Sequence, residues 1–400
     1  MYLEFESIYS RRVEKKELQL LDIMTLGPYL KHDDWRKIEN CIGKILDLPP
    51  TDKFKILNDP TFHLFISRLN SQIINSFETK IEILSDRTLI DYINILYISI
   101  SHLARNLIDS DSSFFLPNKS TLLPGTDILI YNNELGEHKY SHLQLPQVDG
   151  IKIFNKQIDP FFSETVVYNT ECEFEIESWL KMLKDALSLI KLNPYCNILV
   201  TNFVYFIFPL KRKIDSIDFS FSSRNLPNVV FKNMENSAYL FGESLVHEGD
   251  HTFFYALEDI YYLWKKNANY QQEIYFSPWR DDPRPLEGIL RGLSAFARVC
   301  MYYATLIESI IDDNERSTIC RLLLLKINQC NDAANTLITS NQLSECGMDL
   351  VLEIKTIIDT IDFNATRLNQ YDYWKTMAIS SLKEKKDSWN MNNNIDKSAL

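Results

Sequence analysis

The chain has 400 residues, 45% hydrophobic and 24% charged, with a formal net charge of −12. That length supports a sizeable core in more than one lobe, and the composition is that of a globular protein and not of a disordered chain. The acidic balance argues against a nucleic-acid scaffold, which would carry a basic patch.

Residues 1–115 read as helical. DDWRKIENCIGKILDL and LIDYINILYISISHLARNLIDS place apolar residues at three- and four-residue steps, the helix period. Pro49-Pro50 and Asn58-Asp59-Pro60 punctuate them. From 116 to 170, the short β-rich runs TDILIYNN, HKYSHLQLP, GIKIFNK and ETVVYN alternate with Gly, Pro and Asn turns. A helix is predicted over 173–192, then three strands in CNILVTNFVYFIFPL, SIDFSFSS and NVVFKN. The pattern turns helical again from about Ser237. After Ala268 comes the irregular NYQQEIYFSPWRDDPRP, and a further helix starts near Pro285, a residue suited to the first helical position. Residues 305–383 read as more helices, and the polar tail 386–400 reads as frayed. The resulting organisation is an N-terminal helical region 1–115, a domain 116–385 and the tail.

Seven cysteines (41, 172, 196, 300, 320, 330 and 346) are odd in number and scattered, with no CxxC pair. The opening MYLEFESIYSRRVEKKE is charged throughout. Both features point to a cytoplasmic protein with reduced thiols. The longest apolar run, 197–210, is too short to cross a membrane and reads as a buried strand, so no membrane partner is expected.

The stretch SLVHEGDHTFFYALED carries the chemistry. His247 and His251 stand four apart with Glu248 between them, an HExxH pattern. On a helix, that step puts both imidazoles on one face, where two nitrogens can share a divalent metal. Glu248 is placed to act as a base or to orient a bound water. HExxH also arises by chance in helices that hold no metal. Here, though, the chain has only seven histidines, and burying two of them with a glutamate in a Phe/Tyr-rich helix is costly without a partner. Metal binding is therefore the stronger reading. Leu245, Gly249, Thr252 and Ala256 form a small stripe suited to close packing. His138 and His142 share the spacing but lie in a loop-and-strand segment and read as surface residues. His32, His63 and His102 read as structural. The fold class is α+β and predominantly helical: a zincin-like metal helix next to a small β-sheet, flanked by N- and C-terminal helical segments.

The residues downstream of the motif decide the chemistry. Glu287, near the start of the next helix, is the candidate third ligand. Glu287, Arg291, Ser294 and Arg298 fall on one polar stripe, with Gly288, Gly292 and Ala295 beside it. The stripe faces either solvent, with a Glu287–Arg291 pair worth about 0.2–0.5 kcal/mol, or the metal. Ahead of it, Arg280, Asp281, Asp282 and Arg284 stand on a backbone stiffened by Pro278, Pro283 and Pro285. The arginines suit either bidentate carboxylate binding or an Arg–Asp network that braces the loop.

LVHEGDH followed by YFSPWRDDPRPLEGILRGLSAFARV resembles the HExxH-type 2-oxoglutarate-dependent peptide β-hydroxylases, strongly over about 237–305 and diffusely to either side. The resemblance implies Fe(II) held by His247 and His251, with 2-oxoglutarate and O2 as co-substrates. It implies hydroxylation of a β-carbon in a ribosomally synthesised precursor peptide, while 2-oxoglutarate yields succinate and CO2. Iron sites of this kind use two histidines and a carboxylate. Family members often have Ser or Arg at the place of Glu287, and His or Gln at that of Arg291, which leaves the third ligand open. Charged Arg291 can only donate hydrogen bonds. With Arg280 and Arg284, it is a candidate to bind the 2-oxoglutarate carboxylate. Glu248 would position a ligand or hydrogen-bond a histidine. Two other readings stand beside this one. One is a zinc metallopeptidase with Glu248 as general base and Glu287 as third ligand. The other is a catalytically altered relative that only binds peptide.

Overall fold

A computed structural model describes residues 5–26, 35–59, 62–63, 66, 121–122, 128–132, 138–142, 145–154, 173–210, 219–224, 226–309, 312–368 and 370–392. Among them are ten helices and three small sheets, so the α+β, mostly helical class holds. They divide into two compact units, one drawn from 1–8, 181–204 and 235–400, the other from 9–180 and 205–234. The region 116–385, taken from the sequence as one domain, contributes to both.

The unit containing 205–234 holds a five-stranded sheet in the order β4-β5-β6-β8-β7. β4 (Gln147–Val148) and β5 (Ile151–Ile153) form a hairpin. It turns through Asp149 and Gly150 at φ of 50° and 84°, the positive angles a tight two-residue hairpin turn requires. β6 (Phe206–Leu210) runs parallel to β5, β8 (Leu226–Asn233) runs parallel to β6, and β7 (Ser220–Ser223) closes the edge antiparallel. All eight residues of β8 are buried, as befits an inner strand covered on both faces. Aromatic contacts tie the strands: Phe154 stacks on Phe208 at 4.9 Å, Phe208 meets Phe231 tilted at 5.1 Å, and Phe231 stacks on Phe221 at 4.6 Å. A second sheet joins β1 (Thr121–Leu122), β2 (Ile128–Asn132) and β3 (His138–His142), all antiparallel. His138 and His142 are the ends of β3, where the strand rise sets their backbone positions about 13 Å apart. The helices of this unit include α2 (Trp35–Leu46) and α3 (Pro50–Leu57), while α1 (Phe5–Leu26) and α4 (Glu173–Ile190) each have residues in both units.

The other unit is helical. α5 (Pro194–Phe203) corrects the expectation of a strand from residue 197. Asn193 caps it by accepting from the Cys196 N–H at 3.1 Å, and Pro194 occupies its first turn. Cys196, Leu199, Val200 and Phe203 are buried at helix spacing. Only Phe206–Leu210 of the predicted run is strand. α6 (Ala238–Ile260) starts where predicted, with the Ser237 side chain accepting from the Leu240 N–H at 3.4 Å. It ends at Tyr261, which is extended, well short of Ala268. A short β9–β10 pair (Ile274–Tyr275 with Arg284–Pro285) closes the intervening stretch into a loop. α7 (Leu286–Ser309), α8 (Asp313–Thr339), α9 (Glu345–Ala365) and α10 (Tyr371–Asn392) complete the unit. α10 continues into the segment expected to fray, where the Trp389 ring lies 5.9 Å from that of Phe276. The predicted segments 89–110 and 164–169 lie outside the described residues. Among the described residues no helix is long and apolar enough to cross a membrane.

Candidate metal centre

α6 and α7 pack antiparallel. Tyr302 donates to the Tyr239 carbonyl at 3.3 Å, Tyr303 donates to Glu243, Arg298 to Asp250 at 3.2 Å and Arg291 to Glu258 at 2.8 Å. Contacts climb one helix as they descend the other. The small stripe of α6 faces inward: Leu245, Gly249, Thr252 and Ala256 are all buried. A Cβ on Gly249 would stand 3.3 Å from Val204, which is how closely the end of α5 approaches.

With that face inward, His247 and His251 fall on the half-buried face of the same helix. Their Nε2 atoms are 3.1 Å apart and their rings nearly perpendicular, at 86°. Two nitrogens each about 2.0–2.1 Å from one metal ion, at tetrahedral or octahedral angles, lie about 2.9–3.4 Å from each other. The separation lies in that range, and it is also that of an N–H···N hydrogen bond between the two rings. Burial, then Lys326, pushes His247 down to about 3. Burial, then His247 and Arg291, takes His251 well below its usual value. Both rings are thus neutral at physiological pH and present lone pairs, the form that binds metal. His251 Nδ1 is buried and has no hydrogen-bond partner among the described residues.

Aromatic rings and two cations frame the pair. The Phe296 ring sits 4.6 Å from that of His247, and Trp279 stacks on Phe296 at 4.9 Å. Lys326 of α8 lies over Phe296 at 4.5 Å and forms an ion pair with Glu243 at 2.7 Å. On the other side, Arg291 lies 5.2 Å over Tyr255 and binds both Glu258 and Glu287.

The predicted site residues are only partly brought together. Glu287 is committed to Arg291, and its other oxygen accepts from Gln271 at 3.4 Å. Among the described residues, no three His, Cys, Asp or Glu side chains form a group able to hold a metal. Glu287 therefore does not join the two histidines here, and neither does Glu248, which is buried. The polar stripe of α7 faces neither solvent nor a metal as a unit. Its lower half, Glu287 and Arg291, is held at Glu258. Its upper half, Ser294 and Arg298, is fully buried against Asp250. Arg280 and Arg284 both bind Asp282, each at 2.8 Å, so the bracing network is the arrangement observed. The small stripe of α7 receives that same loop: a Cβ on Gly292 would lie 2.7 Å from the Trp279 ring, and one on Gly288 3.5 Å from Arg284.

Sequence reasoning missed Lys326, Glu243 and Glu258. Two of them were legible. Glu243 precedes His247 by one helical step of four, and Lys326 is the lone cation inside the apolar run LLLLKI. No protein-family model matches the chain, and no curated protein matches it.

Proposed function

We propose that the chain is an Fe(II)- and 2-oxoglutarate-dependent dioxygenase that hydroxylates the β-carbon of a residue in a ribosomally synthesised precursor peptide, with a zincin-like metal helix at its centre. The observation that carries the metal part is the 3.1 Å convergence of the His247 and His251 Nε2 atoms on a half-buried helix face. The resemblance of residues 237–305 to the peptide β-hydroxylases supplies the choice of iron and 2-oxoglutarate over zinc and water. His247 and His251 would hold the metal, which when bound supplies the oxidative chemistry. The net reaction converts peptide C–H, O2 and 2-oxoglutarate into peptide C–OH, succinate and CO2.

The chain's own part is positional. Phe296 and Trp279 fix the orientation of the His247 ring and form an apolar wall that keeps water from that side. The ladder of pairs between α6 and α7 holds the histidine face at a set rotation. The test is to load the protein anaerobically with Fe(II), add 2-oxoglutarate, O2 and a library of ribosomal precursor peptides, and follow peptide mass and succinate. A gain of one oxygen with matching succinate supports the reading. Peptide cleavage that needs zinc and no 2-oxoglutarate would replace it with the metallopeptidase.

A further inference from the structure

The ends of α7 and α9, with α8 beside them, enclose a cavity of about 160 Å³ away from the metal centre. Glu308 of its α7 wall stands twelve positions beyond Phe296, about 18 Å further along the helix axis. Ile307, Leu323, Ile361 and Leu368 give the cavity apolar walls. Thr305 also lines it, but its hydroxyl is already engaged. It donates to the Met301 carbonyl at 3.1 Å and accepts from Asn193 at 2.9 Å. An apolar cavity of about 150 Å³ takes a benzene-sized molecule. The space therefore suits one ring or one branched side chain.

Two polar side chains of the lining are different. Glu308 and Asn364 are both exposed, and so mark the side open to solvent. Neither side chain has a hydrogen bond or an ion pair among the described residues. Acids close to them in the chain are engaged: Asp313 pairs with Arg316 at 3.3 Å, Asp362 pairs with Lys375, and Asp312 caps α8. Residues 308–316 carry four carboxylates against Arg316 alone, so the local balance is negative. Arg367, just past α9, does not line the cavity. Apolar walls with an uncommitted carboxylate at the opening define an amphiphilic ligand and its orientation.

We infer that this cavity binds a primary amine carried on a ring-sized apolar group, with that group inside and the ammonium at Glu308. An anion of the same size meets the like charge of Glu308, and a neutral analogue forgoes the ion pair. The Asn364 amide has both donors and an acceptor for an amide next to the ammonium. Two sources present this chemistry: a free arylalkyl amine, and the amino end of a peptide that begins with an aromatic or branched residue. The site does not depend on the reading of the metal centre.

The experiment titrates the full chain, with metal chelated, against phenethylamine, 2-phenylethanol, 3-phenylpropionate and L-phenylalaninamide by calorimetry. Phenethylamine should bind with a Kd of about 1 mM. 2-Phenylethanol should bind about three- to five-fold more weakly, and 3-phenylpropionate should not bind. Glu308→Gln alters an exposed side chain and should erase the preference for the amine over the alcohol. Ala304→Leu, at a half-buried wall position, should fill the space and abolish both. L-Phenylalaninamide tighter than phenethylamine, with the gain lost in Asn364→Ala, assigns the amino end of a peptide, and equal affinities assign the free amine. No binding of phenethylamine, or an unchanged preference in Glu308→Gln, overturns the inference and leaves the proposed function standing. So does loss of amine binding in His247→Ala, which would move the amine to the metal centre.

Discussion

Arg298 on α7 places its Nε 3.2 Å from an Asp250 oxygen on α6, and neither side chain has any exposure. Asp250 immediately precedes His251, and one helical residue turns the chain by about 100°. A carboxylate pinned inward at 250 therefore holds His247 and His251 on the outward side. Its second oxygen accepts from Ser294 at 2.5 Å, and even with these partners burial pushes the carboxyl up to about 6. Arg298→Met leaves that carboxylate buried without its cation. The expected loss is about 3–5 kcal/mol of unfolding free energy, read from urea denaturation. Replacing both partners, as Asp250→Leu with Arg298→Met, should recover much of that loss, because the cost lies in the uncompensated charge.

Gly292 is where the loop meets the helix. A Cβ there would lie 2.7 Å from one Trp279 ring carbon and 2.9 Å from another. The indole cannot retreat freely, since it is stacked on Phe296. Gly292→Ala should therefore cost about 1–3 kcal/mol despite alanine's better helix propensity. It should also alter Trp279 fluorescence. Trp279→Leu in the same chain should restore most of the stability. A Gly292→Ala protein as stable as the parent would mean the ring packs elsewhere.

Much of the site was legible because it depends on local periodicity. The four-residue step of His247 and His251, the Ser237 cap and the small stripe at 245, 249, 252 and 256 all act within one helix, so spacing alone orders them. The illegible part depends on pairing between helices. Arg291 and Arg298 look alike on the sequence, yet one meets Glu258 and the other Asp250, and only the antiparallel register of α6 on α7 separates them. α5 is a different case, since its signals were local. Asn193-Pro194 is a helix start, and 196, 199, 200 and 203 have the helix period. The dense apolar run to Leu210 hid the change from helix to strand at 204–205.

His63 carries an acid sensitivity separate from the metal centre. It is half-buried in the unit built around the five-stranded sheet, and its pKa is lowered well below the usual histidine value. Burial is the main cause, followed by the cations Lys16, Arg12 and Arg224. The folded ring thus stays neutral where the unfolded ring takes a proton. Its contribution to stability is present above a pH of about 6.5 and is lost as pH falls below it, by up to about 1.4 kcal/mol per unit. His63→Gln removes that term. The difference in urea midpoint between parent and variant should therefore change as pH is lowered from 7 to 5, in the direction of a relatively more stable variant. A constant difference would show that the ring protonates equally in both states.

The metal centre itself makes a prediction that separates its ligands. A metal that binds the folded chain raises stability by RT ln(1 + [L]/Kd), about 2.7 kcal/mol at a hundred-fold excess over Kd. Fe(II) or Co(II) should raise the melting temperature of the parent, and a chelator should reverse it. His247→Ala and His251→Ala should each abolish the rise. Their metal-free forms should stay folded, because the α6–α7 ladder does not involve either ring. Glu287→Gln is the discriminating variant. Its carboxylate is bound to Arg291 and Gln271, so the metal-induced rise should survive almost unchanged. A loss as large as that of the histidine variants would instead make Glu287 the third ligand. That would require its carboxylate to leave Arg291 when metal binds, and so would favour the zinc peptidase.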